Sequence, residues 1–125
     1  MKDTLHVNGT LGADNYLMKL KTTNHTVLVD EPESVGGGDH HPNPPQYLLS
    51  ALASCTAITI KMYANNKGWD VGNIDVDVKI KFVQSEGKSI KKITKAVKFE
   101  NSLDESQVQR LLQIGSKCPI SKLLE

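Results

Sequence analysis

The stretch from Pro44 to about Asn65 constrains the fold more than any other part of this chain. Leu48, Ala51, Leu52, Cys55, Ile58, Thr59 and Met62 recur at spacings of three and four, which is helical periodicity. Leu49, Ala53, Ala57, Ile60 and Ala64 make the other faces largely apolar too. Pro44 and Pro45 suit the first turn, where a missing N–H costs nothing, and Gly68 and Gly72 end the helix. A helix apolar all round is a buried helix. In 125 residues, one subunit's worth of sheet can hardly envelop it, so the pattern implies wrapping by a second chain or burial against a dimer partner. A homodimer is the simpler expectation.

The rest of the chain supplies strands and two further helices, an α+β composition. Thr4–Val7, Tyr16–Lys21 and Thr26–Val29 are short β-prone runs broken by Asn8-Gly9, Gly12–Asn15 and Thr23-Asn24, which predicts antiparallel hairpins. Asp30 to Pro45 is loop chemistry. Ile74–Phe82 alternates strictly, Ser85–Lys88 supplies a turn, and Ile90–Glu100 returns with Ile93, Val97 and Phe99 in register. Ser102-Leu103-Asp104-Glu105 fits a capping box before a helix carrying Val108, Leu111 and Leu112. Cys118 before Pro119 reads as the N-cap of a last short helix, Ile120–Leu124. With no internal repeat, residues 1–125 read as a single domain.

Charge narrows the function. Fifteen basic against fourteen acidic side chains give +1, which argues against a protein built around nucleic acid. Lys79, Lys81, Lys88, Lys91, Lys92, Lys95 and Lys98 fall on one hairpin and read mostly as the wet face of a sheet. No window holds the roughly 18 consecutive apolar residues of a membrane span, and the start lacks a signal peptide's apolar stretch, so a cytoplasmic protein without membrane insertion is expected. Gly36-Gly37-Gly38 lacks the Lys and Ser/Thr of a phosphate loop, no serine sits in a nucleophile elbow, and His40-His41 has no metal-ligand spacing. No metal or cofactor is expected.

The reactive groups are Cys55 and Cys118, too few for a disulfide scaffold and too far apart for a CxxC motif. A mid-helix Cys55 on an Ala/Leu/Ile surface reads first as a small hydrophobe. At a helix start, Cys118 meets exposed N–H groups that favour its thiolate. Together they allow a more specific chemistry, in which one thiol is oxidised to a sulfenic acid and the other condenses with it to a disulfide.

These features resemble the OsmC/Ohr family of osmotically inducible and organic-hydroperoxide-resistance proteins. The resemblance rests on Asp30-Glu31-Pro32, the Gly36–Gly38 loop, the run from Pro42 to Cys55 containing Leu-Leu-Ser-Ala-Leu-Ala-Ser-Cys, and Lys117-Cys118-Pro119-Ile120-Ser121. The wording around Cys55 is closest to the less characterised branch of that family. The resemblance implies an intertwined α+β homodimer with antiparallel sheets wrapped around buried central helices and sites at the subunit boundary. It also implies a thiol peroxidase, in which Cys55 attacks an organic hydroperoxide, Cys118 resolves, and a dithiol reductant restores the pair.

The chain departs from that pattern at one point. The family's peroxidases hold the reactive thiolate with an Arg from the N-terminal strands, itself fixed by a Glu at the start of the central helix. Here Arg110 is the only arginine and lies in another helix, while the central helix begins Pro45-Gln46. Lys19 or Lys21 is then the expected source of charge, with Gln46 orienting it, although a lysine is not a planar bidentate donor. The alternative is a non-enzymatic stress protein that binds a small apolar ligand or responds to redox as a dimer; a third reading leaves both cysteines as packing.

Overall fold

The computed structural model describes residues 5–124. The chain divides into two units, Met1–Leu48 and Leu49–Glu125, and the long helix α1 (Pro44–Lys67) starts in the first and continues through the second.

In the first unit β1 (Asn8–Leu11), β2 (Met18–Lys21) and β3 (Thr26–Val29) form an antiparallel sheet in chain order, with Gly9 opposite Leu20 and Lys19 opposite Leu28. The expected first strand is displaced. Thr4 lies outside the described residues, Leu5–Val7 is irregular, and pairing begins at Asn8, past the run with the stronger β propensity. Tertiary register has overridden local preference there. The following loop is organised by Asp30, a buried carboxylate that accepts from the backbone N–H of Glu31 (2.8 Å), His40 (3.2 Å) and Gly38 (3.4 Å). Those bonds hold its pKa below the ordinary value of 3.8.

Helix α1 opens with a reciprocal cap. The Asn43 side chain accepts from the Gln46 N–H at 3.0 Å, and Gln46 Oε1 accepts from the Asn43 N–H at 2.9 Å. Tyr47 anchors the first turn by donating to the Leu28 carbonyl at 2.6 Å. At the far end Gly68 takes a left-handed φ of 73°, and bonds from Gly68 N to Asn65 O and from Trp69 N to Ala64 O close a Schellman turn.

In the second unit β4 (Ile74–Ser85) and β5 (Lys88–Phe99) make a long hairpin, with Ile74 opposite Phe99 and Val78 opposite Lys95. Glu86 and Gly87 both have positive φ, 51° and 76°, as the two-residue turn of a tightly twisted hairpin requires. Helix α2 (Glu105–Ser116) is capped by Asp104 with Gln107 as the reciprocal partner. This box sits two residues beyond the expected Ser102–Glu105 pairing. Asp104 is an ionised acceptor and its Oδ1 also takes the Ser106 hydroxyl, so it outcompetes a serine cap. Helix α3 (Pro119–Leu123) follows, with Cys118 as its N-cap.

The core joins Ile60 and Ala64 of α1 to Val71 and Leu111, with Trp69, Ile74, Val97, Phe99 and Leu103 against them. Full burial of Ile60, Val71 and Leu111 is worth about 1.5–3 kcal/mol each. By length and mean hydropathy α1 is long and apolar enough to cross a membrane, which counting consecutive apolar residues did not reveal. On one side it packs against α2 and the hairpin. The single chain does not envelop it, however. Only Leu52, Thr56, Ile60 and Ala64 are buried, a stripe repeating every four residues, while Ile58 and Met62 are 53% and 67% exposed. One hairpin and one helix can cover only one side.

Candidate active site

Four segments converge on Cys118. Thr56 comes from the buried stripe of α1, one residue after Cys55. Lys95 comes from the middle of β5, Gly115 from the last turn of α2, and Ser121 from α3. Gly115 is where α2 can approach α1, because a Cβ there would lie 2.8 Å from Ile60 Cδ1 and 3.3 Å from Thr56 Cγ2.

Cys118 is fully buried. Its sulfur lies 3.0 Å from Ser121 Oγ, accepts from the Ser121 N–H at 3.4 Å, and lies 3.7 Å from Thr56 Oγ1. Burial pushes this thiol up. The Ser121 hydroxyl and N–H, with smaller contributions from Cys55 and Thr56, outweigh burial and lower it from 9.0 to about 7. At that value roughly half of Cys118 is thiolate at neutral pH, against a per cent or so for a thiol at 9. One of the groups that lower it, the Cys55 thiol, lies 63 positions away in the chain. Cys55 is only half-buried, so the pair has an outer and an inner sulfur.

Lys95 brings a cation to this cluster. Its ammonium donates to Thr56 Oγ1 at 3.1 Å, Ser121 Oγ at 3.1 Å and Gly115 O at 3.3 Å, so each of its three hydrogens has an acceptor. Thr56 in turn donates to the Leu52 carbonyl at 2.8 Å. A cleft of about 230 Å³ lined by Leu52, Ile93, Lys95, Ser121 and Leu124 opens beside this cluster.

Lys19 and Lys21 stand on the exposed side of β2 in the first unit. Gln46 has its side-chain oxygen engaged in the α1 cap. Arg110 donates to Tyr63 Oη at 3.0 Å and to Gln113 at 3.4 Å, and lies over the Tyr63 ring. Sequence reasoning therefore missed Lys95, Thr56 and Ser121. The signal for Lys95 was present: Ile93, Val97 and Phe99 alternate on the inward face of β5, and the position they skip on that face is Lys95.

Residues 36–125 match the sequence profile of OsmC-like proteins. The chain belongs to the OsmC-like protein family. No curated protein matches it. Among solved structures, a protein assigned to the osmotic stress induced and detoxification response of Psychrobacter arcticus 273-4 is similar over 100% of this chain and 91% of its own, at 18% identity and a TM-score of 0.81. An OsmC-like protein of Mycoplasma pneumoniae is similar over 99% and 89%, at 19% identity and 0.74. The organic hydroperoxide resistance protein OhrB of Bacillus subtilis is similar over 98% and 90%, at 18% identity and 0.66. At these identities the likeness shows the fold, the mixed helix and antiparallel-sheet architecture expected from the sequence.

Proposed function

We propose that this OsmC-like protein is a cytoplasmic thiol-dependent peroxidase that reduces organic hydroperoxides and works as a homodimer. The observation that carries the reading is the buried Cys118 thiol, hydrogen-bonded by Ser121 at 3.0 Å and acidified, with the Cys55 thiol among the groups that lower its pKa. The Cys55 sulfur attacks the terminal oxygen of the hydroperoxide; an S–O bond forms, the O–O bond breaks, and the alkoxide leaves as an alcohol after taking a proton. Cys118 then attacks the sulfur of the Cys55 sulfenic acid, an S–S bond forms, and water leaves. A dithiol reductant reopens the disulfide by exchange. The uncovered apolar side of α1 at Ile58 and Met62 supports the dimer. The relatives named for hydroperoxide resistance support the substrate class.

The test is hydroperoxide consumption coupled to oxidation of a dithiol. Turnover should vanish in Cys55→Ser, and activity unchanged in that variant overturns the assignment. A second reading has its own observation, an apolar cavity of about 470 Å³ in the first unit lined by Leu11, Tyr16, Met18, Leu20, Val29 and Tyr47. It makes the protein a binder of a small apolar ligand, and predicts thermal stabilisation by such ligands with no peroxide turnover.

A further inference from the structure

We propose that Lys95 is a positioning residue for Cys118: through Ser121 it holds that sulfur as a thiolate, so the cation of this site serves the cysteine at α3 rather than the one on α1. An ammonium group has three hydrogens and no lone pair, so Ser121 Oγ can only accept from Lys95 Nζ. The single Ser121 hydroxyl proton is then left for its other neighbour, Cys118 Sγ, at 3.0 Å. Thr56 also accepts from Lys95, but its proton is committed at 2.8 Å to the Leu52 carbonyl. It therefore offers the sulfur little at 3.7 Å. Lys95 fixes the direction of one hydroxyl and places a positive charge one hydroxyl away from the sulfur.

The groups facing Cys118 are Cys55 and Thr56 from α1, Lys95 from β5 acting through Ser121, and Ser121 from its own helix; α2 contributes the Gly115 carbonyl, which accepts from the Cys118 N–H. Lys117 and Lys122 beside it in sequence are exposed. None of these facing groups is a carboxylate.

If the pair is redox-active as proposed above, this placement decides how its disulfide is reduced. In thiol–disulfide exchange the sulfur with the lower pKa leaves faster, and the accessible sulfur is attacked. The incoming thiolate of the reductant therefore bonds to half-buried Cys55, the Cys55–Cys118 bond breaks, and Cys118 leaves with the electron pair into the Ser121–Lys95 pocket. The first mixed disulfide stands on Cys55.

The test is titration of the Cys118 thiolate by its ultraviolet absorbance, in reduced protein carrying Cys55→Ser so that one thiol reports. Lys95→Met should weaken the acidity of Cys118 by ~10- to 100-fold, the usual effect of removing a nearby opposite charge. Lys95→Gln keeps an N–H donor without the charge; it should show the same loss and decides the matter if Lys95→Met does not fold. Lys95→Arg should recover most of the acidity. Adding Lys95→Met to Ser121→Ala should change little beyond Ser121→Ala alone, because the relay is already broken. An unmoved midpoint in the folded Gln or Met variant overturns the proposal, as does a Lys95 effect undiminished by Ser121→Ala. In oxidised wild type, a limiting monothiol should leave its adduct on Cys55, and an adduct mapped to Cys118 contradicts the leaving-group assignment. The titration needs no turnover, so an inactive protein with a Lys95-dependent midpoint would refute only the peroxidase reading.

Discussion

Thr56→Val is the sharpest probe of the polar cluster, because it replaces a hydroxyl by a methyl of similar size at a position that is 1% exposed. The native hydroxyl accepts from Lys95 at 3.1 Å and donates to the Leu52 carbonyl at 2.8 Å. In the valine variant Leu52 keeps its helical backbone bond, so little is lost there. Lys95 loses one of its three acceptors, and a hydrogen bond to a charged group contributes about 1.5–3 kcal/mol. Removing a buried hydroxyl offsets part of this, leaving an expected destabilisation of about 1–2 kcal/mol. For a chain of this length the unfolding entropy near 60 °C is roughly 0.26 kcal/mol/K, so Tm should fall by about 4–8 °C. The assay is urea and thermal unfolding at one fixed protein concentration, since the stability of the proposed dimer would depend on concentration. Thr56→Ser is the control. It keeps the hydroxyl and loses a buried methyl, at about 0.5–1.5 kcal/mol. If the valine variant is as stable as wild type while the serine variant is weaker, the site is held by packing and the hydroxyl–ammonium argument fails.

Other perturbations read the same region. Ser121→Ala removes the 3.0 Å contact on Cys118 but keeps the backbone donor, and should raise the thiol from about 7 by ~1–2 units; a titration midpoint that stays in place argues against it. Because Cys118 is acidified on folding, from 9.0 to about 7, its contribution to stability is complete above pH 9 and is lost as pH falls through 7. The stability difference between wild type and Cys118→Ser should accordingly grow across that window by at most ~2–3 kcal/mol, measured by urea unfolding; a flat difference contradicts the shift. Gly115→Ala places a methyl 2.8 Å from Ile60 Cδ1, and overpacking of about 1–3 kcal/mol should exceed the gain of roughly 1 kcal/mol in helix propensity. Ile60→Val, which removes that Cδ1, should be less harmful in the Gly115→Ala background than in wild type; simple additivity in the double-mutant cycle would refute the contact. Asp30, whose carboxyl is held below 3.8 by backbone donors, secures its loop above that pH and releases it as pH falls through the lowered value; acid proteolysis should cut between residues 31 and 42 first, and cleavage starting elsewhere refutes this.

The elements that were legible in the sequence share a physical reason: their signal is local. The β4 alternation, the proline start of α1 and Cys118 before Pro119 are each encoded within a few residues, and each lies where expected. The misplaced elements depended on competition. Asp104 displaced Ser102 as the α2 cap because an ionised carboxylate accepts more strongly than a hydroxyl. Asn8–Leu11 took the strand position from Thr4–Val7 because pairing with β2 set the register.

Lys95 was illegible for a different reason, and it bears on the scarcity of arginine. The acceptors of Lys95 lie 20, 26 and 39 positions away, so no local window shows that its charge is satisfied. Read alone, a lysine among seven on one hairpin is a solvated side chain. Its position on the inward face, opposite Val78, is the decisive clue, because a lysine there must bury its stem against apolar neighbours and bring its ammonium to oxygens. The choice of lysine then follows from the acceptors. A guanidinium presents a flat fork suited to a carboxylate, whereas an ammonium directs three hydrogens to three separate points. This site offers two hydroxyls and one helix-end carbonyl, with no carboxylate among the Lys95 acceptors. With no carboxylate to reward a planar fork, a lysine reaches these three separate oxygens where a guanidinium would not.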